Sequence, residues 1–129
     1  MLITIIFGAT VLAMLAIIIM RQFVLGKRLR HYQAGEVAEK LRGASPPVLL
    51  DVRTTGEFRR GHIAGALHIP VQELGRRWQE LEGFRAREIV VYCATGPRSV
   101  NAVNFLQKRG FNAINMRGGM KAWQAIQNE

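Results

Sequence analysis

The only cysteine of the chain, Cys93, lies between a hydrophobic stretch and a segment with helical spacing. Ile89 to Tyr92 are β-branched or aromatic, which is the composition of a buried strand. The segment from Arg98 to Arg109 has helical spacing and is followed by Gly110, a residue typical of helix ends. The sequence therefore predicts a cysteine between the C-terminal end of a strand and the N-terminus of a helix, where open α/β sheets bind ligands.

This position favours the thiolate form of Cys93. The N–H groups of a short loop can converge on the sulfur, with the positive end of the helix dipole behind them. Arg98 adds a full positive charge, and Gly96 allows backbone torsions that a side chain would forbid. Both the dipole and the charge lower the pKa of a cysteine and raise its reactivity. We interpret Cys93 as a reactive thiolate; the alternative is a buried, inert cysteine.

The pattern Cys-x-x-Gly-x-Arg-Ser at 93–99, after a hydrophobic strand, resembles the active-site loop of the rhodanese family of sulfurtransferases. Three further stretches resemble segments of that family and occur in the same order. They are LDVR at 50–53 with Glu57 and Phe58 after it, GHIAGALHIP at 61–70, and RGGMKAW at 117–123. The resemblance covers the chain from Tyr32 to Gln127.

Strands alternate with helical segments along the chain, which predicts an α/β fold with a parallel sheet covered by helices on both faces. The resemblance implies a rhodanese-like sheet of five strands, with the remaining short strand near Tyr32. The predicted strands are 48–52, 67–69, 89–92 and 113–116, and the predicted helices are 34–41, 57–60, 71–81, 98–109 and 120–126.

The resemblance also implies a two-step sulfur transfer on Cys93. The thiolate attacks the outer sulfur of a small anionic donor such as thiosulfate and becomes a persulfide. A thiophilic acceptor, cyanide in an assay and a thiol in the cell, then takes that sulfur. The residues expected to bind the substrate follow Cys93 in the loop and are Ala94, Thr95, Gly96, Pro97, Arg98 and Ser99. Arg98 either contacts the substrate or pins the loop through backbone carbonyls.

The loop departs from the family pattern at two positions. Thr95 stands where many members have serine, and Ala94 is uncharged where thiosulfate-preferring members often have arginine or lysine. The resemblance therefore leaves the natural donor open.

Three further residues are expected to support the loop. Asp51 and Arg53 end a strand beside it, and we interpret them as structural, with an ion pair between Arg53 and Glu57. His62 lies in the GHI segment, where we expect it to hold the loop by hydrogen bonding. Sulfur transfer needs little proton transfer, and neither His62 nor His68 has metal-ligand spacing, so we expect no metal and no cofactor.

A long apolar segment opens the sequence. Residues from Leu2 to Met20 carry no charge and reach roughly 28 Å as a helix, close to the thickness of the hydrocarbon core of a membrane. A secretory signal peptide is the alternative, but it would have a positive start and a shorter apolar run. We therefore predict a transmembrane helix over residues 1–20.

Basic residues follow this segment, and only the α-amino group precedes it. By the positive-inside rule, the N-terminus lies outside and the rest of the chain in the cytoplasm, which predicts a single-pass protein of the inner (cytoplasmic) membrane. The basic linker, residues 21–31, either lies along anionic membrane lipids or stays solvated. We predict a globular domain over residues 32–129. The basic residues of the linker are Arg21, Lys27, Arg28 and Arg30.

The net charge of +9 would suit a nucleic-acid binder. We expect no nucleic-acid partner, because the sequence has no known nucleic-acid motif and no aromatic-basic interleaving. Three function classes remain: a membrane-anchored sulfurtransferase or sulfur carrier, a binding module for a membrane protein partner, and a cysteine phosphatase. The last class is disfavoured because Cys93 and Arg98 are separated by four residues, whereas cysteine phosphatases use a loop one residue longer.

Overall fold

The computed structural model describes residues 1–25 and 29–129. Within these residues the chain forms a long N-terminal helix followed by alternating strands and helices. The helices are α1 (Leu2–Leu25), α2 (Ala34–Leu41), α3 (Thr55–Arg59), α4 (Leu74–Arg77), α5 (Pro97–Lys108) and α6 (Gly119–Gln127). The strands are β1 (His31–Tyr32), β2 (Val48–Asp51), β3 (Leu67–His68), β4 (Ile89–Tyr92) and β5 (Ala113–Met116).

The five strands form one parallel sheet with the order β1-β5-β4-β2-β3. This order confirms the predicted sheet and its short strand near Tyr32. The strands β2, β4 and β5 are buried along their whole length, as expected for apolar runs between two helical layers. The edge strands β1 and β3 are only two residues long. Because β4 is the central strand, Cys93 leaves the sheet from its middle.

Side chains alternate between the two faces of the sheet, and each face carries its own apolar cluster. Ile89, Val91 and Cys93 belong to the cluster that includes Leu106 of α5. Tyr92 belongs to the opposite cluster, which includes buried residues of α2 and residues of α6 packed against it. The period of two along β4 therefore directs the Cys93 side chain toward the α5 face.

The prediction of one continuous helix over 71–81 is wrong. The structure has a 3₁₀ turn over Val71–Glu73, the short helix α4, and a second 3₁₀ segment over Trp78–Phe84. The apolar residues that suggested the helix, Leu74 and Leu81, are still buried. Ion pairs three residues apart bridge these short segments, and Arg77 also pairs with Glu73 four residues away, so the pairs fit both helix types. The pairs three residues apart are Arg76–Glu73, Arg77–Glu80 and Arg85–Glu82.

Helix α1 extends through Leu25, five residues beyond the predicted end at residue 20. Its segment Leu2–Arg21 is long and apolar enough to cross a membrane. None of that segment is buried against the rest of the described chain. The predicted basic linker includes Lys27 and Arg28, which lie outside the described residues. The sheet begins at His31, inside the predicted linker.

Candidate active site

The loop between β4 and α5 curls around the sulfur of Cys93. The Gly96 N–H donates a hydrogen bond to the sulfur, with 3.1 Å between nitrogen and sulfur. Gly96 has a φ of +146°, which side-chain-bearing residues rarely adopt, so the curl requires glycine there. Pro97 opens α5 at a position where its missing N–H has no helical partner to lose. The structure therefore confirms that loop N–H groups converge on the sulfur.

Ser99 contacts the sulfur from inside the protein. Its side chain is fully buried, and its Oγ lies 3.3 Å from the Cys93 sulfur. The same hydroxyl lies 2.8 Å from the Gly96 carbonyl oxygen and 2.6 Å from Oδ1 of Asn115. The hydroxyl group therefore braces the loop and can also donate to the sulfur. Of the other loop residues, Ala94, Gly96 and Arg98 are half-buried, and Thr95 and Pro97 are exposed.

The surroundings of Cys93 stabilise its thiolate. Burial raises the pKa of the Cys93 thiol, whose residue is only 1% exposed. Hydrogen bonds from the Ser99 hydroxyl and from the backbone N–H groups of Ser99, Gly96 and Thr95 lower it and outweigh burial. The pKa of Cys93 therefore lies below its ordinary value, as predicted for a reactive cysteine.

Arg98 has a fixed partner, which the sequence interpretation missed. Its Nη1 and Nη2 donate to the two carboxylate oxygens of Glu57 at 2.6 and 2.9 Å. The predicted ion pair between Arg53 and Glu57 is therefore wrong. The full positive charge expected of Arg98 is balanced by the Glu57 carboxylate, and the guanidinium bonds to that carboxylate, whereas the loop-pinning alternative placed it on backbone carbonyls. The Arg98 guanidinium lowers the pKa of Glu57 to about 2.

A capping box at the start of α3 holds Glu57 in place. The Thr54 Oγ1 accepts a hydrogen bond from the Glu57 N–H at 3.2 Å. In return, the Glu57 carboxylate accepts from the Thr54 N–H at 3.1 Å. The Thr-x-x-Glu pattern at 54–57 is the sequence signal for this arrangement. Long-range pairing then joins α3 to the loop through Arg98.

Asp51 and Arg53 form a buried ion pair with each other. Arg53 Nη2 lies 2.7 Å from Asp51 Oδ2, and the Arg53 Nε lies 3.0 Å from each carboxylate oxygen. The same Nη2 donates to the Gly61 carbonyl at 2.7 Å. The pair therefore ties the end of β2 to the GHI segment, and its expected support of the Cys93 loop stays a prediction.

His62 holds the same segment from outside. Its Nδ1 lies 2.9 Å from the Phe58 carbonyl oxygen, and its ring stacks on Phe58 with centroids 3.7 Å apart. Phe58 also stacks on His68, and the Tyr92 hydroxyl accepts a hydrogen bond from the Ile63 N–H at 3.1 Å. His62 is exposed and makes these contacts with Phe58, and its expected role in holding the Cys93 loop stays a prediction.

The start of α6 packs directly against the back of the Cys93 loop. The Met120 N–H donates to the Cys93 carbonyl at 2.8 Å, and the Lys121 N–H donates to the Ala94 carbonyl at 3.1 Å. Gly119 has a φ of +58°, and a Cβ there would lie 2.4 Å from the Cys93 carbonyl oxygen. The close approach therefore depends on a residue without a side chain. The RGG pattern at 117–119 marked this site in the sequence, but only the fold shows what approaches the glycine.

Comparison with known proteins identifies the family to which this loop belongs. The family model described as a rhodanese-like domain matches residues 33–126. The chain belongs to the rhodanese-like family. A sulfurtransferase of Allochromatium vinosum is 33% identical over 88 residues, which are 67% of this chain and 80% of that protein. A probable molybdopterin-synthase adenylyltransferase of Porphyra purpurea is 30% identical over 88 residues. These residues are 68% of this chain but only 23% of that longer protein.

Solved structures give the same result for the fold. A rhodanese-related protein from Thermoplasma volcanium superimposes with a TM-score of 0.69 at 35% identity, over 75% of this chain and 92% of that one. The rhodanese resemblance and the α/β fold with a five-stranded parallel sheet are therefore confirmed. This rhodanese-like chain is related to sulfurtransferases and sulfur carriers.

The rhodanese-like loop is built to carry a nucleophilic sulfur. Cys93 is a free thiol at the end of the central strand, and its anionic form is held by N–H groups and one hydroxyl. In the described part of the chain, no group of three or more His, Cys, Asp and Glu side chains is placed to hold a metal ion. The arrangement suits attack by sulfur on an electrophilic sulfur atom.

Proposed function

We propose that the protein is a sulfurtransferase that takes sulfane sulfur from a small anionic donor onto Cys93 and passes it to a thiophilic acceptor. The observation that carries this proposal is the loop around Cys93. The Cys93 sulfur accepts a hydrogen bond from the Gly96 N–H and lies within hydrogen-bond distance of the Ser99 hydroxyl, and the pKa of Cys93 is lowered. A thiolate held in this way is a nucleophile at neutral pH.

The first step forms the persulfide. The Cys93 thiolate attacks the outer sulfur of thiosulfate, a bond forms between the two sulfurs, and the sulfur–sulfur bond of the donor breaks. Sulfite leaves with the electron pair of that bond. The negative charge moves to the outer sulfur of the persulfide, where loop N–H groups stabilise it without reorganisation. The buried Ser99 hydroxyl stays behind the inner sulfur, on the side of the protein interior.

The second step returns the free thiolate. Cyanide or a thiolate attacks the outer sulfur of the persulfide, and the bond between the two sulfurs breaks. Cys93 keeps the electron pair and is a thiolate again. No proton moves in either step, which agrees with the structural positions of His62 and His68.

We propose a sulfane-sulfur anion as the donor class, with thiosulfate as the assay donor. Glu57 balances the charge of Arg98, and Ala94 is uncharged, so the loop has no excess positive charge for a dianion. The loop N–H groups therefore contribute most of the anion stabilisation. A donor that is a persulfide of a small thiol would need less positive charge at the loop for its binding than the thiosulfate dianion does.

The test compares the full-length protein with Cys93→Ser in thiosulfate:cyanide transfer. We expect the variant to lose transfer while its circular dichroism and thermal unfolding stay close to those of the parent. Transfer that survives in a folded Cys93→Ser protein would exclude Cys93 as the nucleophile. Mass spectrometry after alkylation identifies the carrier alternative, since a carrier would hold one added sulfur on Cys93 but turn over slowly.

The same two proteins distinguish sulfur transfer from phosphate-ester hydrolysis. The loop from Cys93 to Arg98 is one residue shorter than that of cysteine phosphatases, which narrows the ring of N–H groups around the sulfur. We expect no hydrolysis of p-nitrophenyl phosphate above the level of Cys93→Ser. Hydrolysis by the parent that disappears in this variant would show that the protein is a phosphatase.

We propose that α1 anchors the protein in the inner membrane, with the domain of residues 32–129 in the cytoplasm. The hydropathy of Leu2–Arg21 and the basic residues after it support this orientation. Because Cys93 is buried, the reporter for labelling is better placed on the exposed Asn128.

The anchor test therefore uses Asn128→Cys in a Cys93→Ser background. An impermeant maleimide should label this variant only in opened cells, and it should label Leu2→Cys in the same background in intact cells with a permeabilised outer barrier. Labelling of Asn128→Cys in intact cells would mean that the topology is inverted. Recovery of the protein in the soluble fraction would exclude the anchor.

A further inference from the structure

Four polar side chains form a hydrogen-bonded chain from Cys93 to the edge of the sheet. The Ser99 Oγ lies 3.3 Å from the sulfur and donates to the Asn115 Oδ1 at 2.6 Å. The Asn115 Nδ2 lies 3.0 Å from the His31 Nδ1. Asn115 pairs with Val91 of β4 on one side and with His31 of β1 on the other. The chain therefore joins the active-site sulfur to the first strand of the sheet.

Asn115 is an unusual residue for its position. It is 2% exposed in a strand whose other members are apolar and buried. Asparagine is depleted in strands, and its amide must be hydrogen-bonded when it is buried. A β-branched apolar residue would fill the same position without that requirement. The amide has a partner on each side, Ser99 and His31, so its contribution lies in connecting them.

The Ser99 hydroxyl has one proton and three acceptors within reach. These acceptors are the Gly96 carbonyl, the Asn115 Oδ1 and the Cys93 sulfur. A thiolate can only accept a hydrogen bond, so ionisation of Cys93 turns the Ser99 proton toward the sulfur. The Asn115 Oδ1 would then face a lone pair of the hydroxyl at hydrogen-bond distance, which is unfavourable.

A half-turn of the Asn115 amide removes that conflict. The Nδ2 then donates to the Ser99 Oγ, and the Oδ1 accepts a hydrogen bond from the Nδ1 of His31. His31 must carry a proton on Nδ1 in this arrangement and on Nε2 in the opposite one. The proton that leaves Cys93 passes to water, and the half-buried His31 exchanges its own ring proton with water.

We propose that Asn115 and His31 are positioning residues that set the direction of this hydrogen-bonded chain and thereby the thiolate population of Cys93. The inference rests on Cys93 being the nucleophile of the proposed function. Charged groups near the two ends have partners of their own: Arg98 pairs with Glu57, Asp51 with Arg53, and Arg30 with Glu88. The chain is thus the direct polar connection between His31 and the sulfur.

The test replaces His31 by a residue that can only accept or only donate. His31→Glu holds the Nδ2 of Asn115 toward residue 31 and leaves the Oδ1 on Ser99, which keeps the Ser99 proton from the sulfur. His31→Lys holds the amide the other way and frees that proton. The readout is the rate of iodoacetamide alkylation of Cys93 across pH, measured on the full chain, where Cys93 is the only cysteine.

We expect the His31→Lys protein to react about fivefold faster than His31→Glu near neutral pH, because the net strength of one hydrogen bond, about 1 kcal/mol, corresponds to about 0.7 pKa unit at 1.36 kcal/mol per unit. The opposite charges at residue 31 also act through space. The same pair in a Ser99→Ala background isolates that effect, since the chain is cut there and both charges remain. When the Ser99→Ala proteins are measured in ~0.5 M salt, we expect the ratio of the alkylation rates of His31→Lys and His31→Glu to fall to about twofold or less.

Asn115→Leu breaks the hydrogen-bonded chain at a second point. If the Ser99→Ala protein does not fold, His31→Lys and His31→Glu are compared in the Asn115→Leu background instead. A ratio that is equal in the intact and cut backgrounds would overturn the proposal in favour of simple charge. A ratio of one in the intact background would overturn it as well. Alkylation requires only the Cys93 thiolate. The alkylation rates therefore test this proposal even if the protein shows no sulfur transfer.

Discussion

Replacing Gly119 by alanine should damage the active-site loop from behind. The added Cβ would lie 2.4 Å from the Cys93 carbonyl oxygen and 2.8 Å from the Ala94 carbonyl carbon and oxygen. These are backbone atoms, which cannot rotate away as the end of a flexible side chain can. Ordinary contacts of a Cβ begin at 3.4 Å, so the loop and α6 must separate by about 1 Å.

The expected loss follows from the contacts at this junction. Alanine at a φ of +58° costs about 1 kcal/mol, and the two hydrogen bonds from Met120 and Lys121 to the loop contribute about 1 kcal/mol each. The free energy of unfolding should therefore fall by about 3 kcal/mol, which lowers the Tm of a domain of this size by at least ~12 °C. A displacement of about 1 Å at the reacting sulfur can lower kcat about 100-fold.

The matched control is Gly110→Ala, which has the same kind of backbone penalty away from the loop. Gly110 has a φ of +85°, and its Cβ would meet only the guanidinium of Arg85 at 3.3 Å. We expect a loss of about 1 kcal/mol in this variant, with sulfur transfer retained. Thermal unfolding and steady-state transfer assays of both variants give the comparison. Equal stability and equal transfer rates in the two variants would refute the tight junction between Gly119 and the loop.

Two further predictions concern Glu57 and its ion pair with Arg98. In Glu57→Gln the charge of Arg98 is no longer balanced, so the pKa of Cys93 should fall. Alkylation of Cys93 near pH 6 should then become a few-fold faster. An unchanged pH profile of alkylation would show that Arg98 does not act on the sulfur. The pKa of Glu57 is lowered to about 2, so its contribution of about 1–2 kcal/mol is complete above about pH 4.5 and disappears as the pH falls through 2. Urea unfolding should therefore separate the parent from Glu57→Gln at pH 6 and make them equal near pH 2, and a constant difference would contradict this linkage.

Several elements of the fold follow from local sequence. The strands Ile89–Tyr92 and Ala113–Met116 and the helix Ala34–Leu41 have the bounds that their composition and flanking residues predict. Each is an apolar or amphipathic run between breakers such as glycine and proline, so the local preference agrees with the final packing. The position of Cys93 between a strand and a helix follows from the same patterns.

The 3₁₀ segments around α4 did not follow from local sequence. The positions of Leu74 and Leu81 satisfy either helix type, because both residues can reach the core. The two conformations differ little in energy for a short segment, and packing against the sheet decides between them.

The partners of charged and polar side chains were decided by the tertiary structure. The sequence favours the nearby Arg53 as the partner of Glu57, whereas the observed partner, Arg98, is 41 residues away from it. The buried Asp51 takes Arg53, which leaves Glu57 to Arg98 across the loop. The capping box between Thr54 and Glu57 can be recognised in the local sequence, but the ion pair of the Glu57 carboxylate with Arg98 cannot.

The sequence by itself determined the family, the parallel α/β sheet, the apolar N-terminal helix and the place of Cys93, because these depend on runs of neighbouring residues. Only the tertiary structure decided that Asn115 connects Ser99 to His31, and that the N-terminus of α6 holds the loop. Those contacts depend on the strand order, which places β5 between β4 and β1. Sheet order is set by the burial of whole strands against one another, and no short stretch of the chain contains that information.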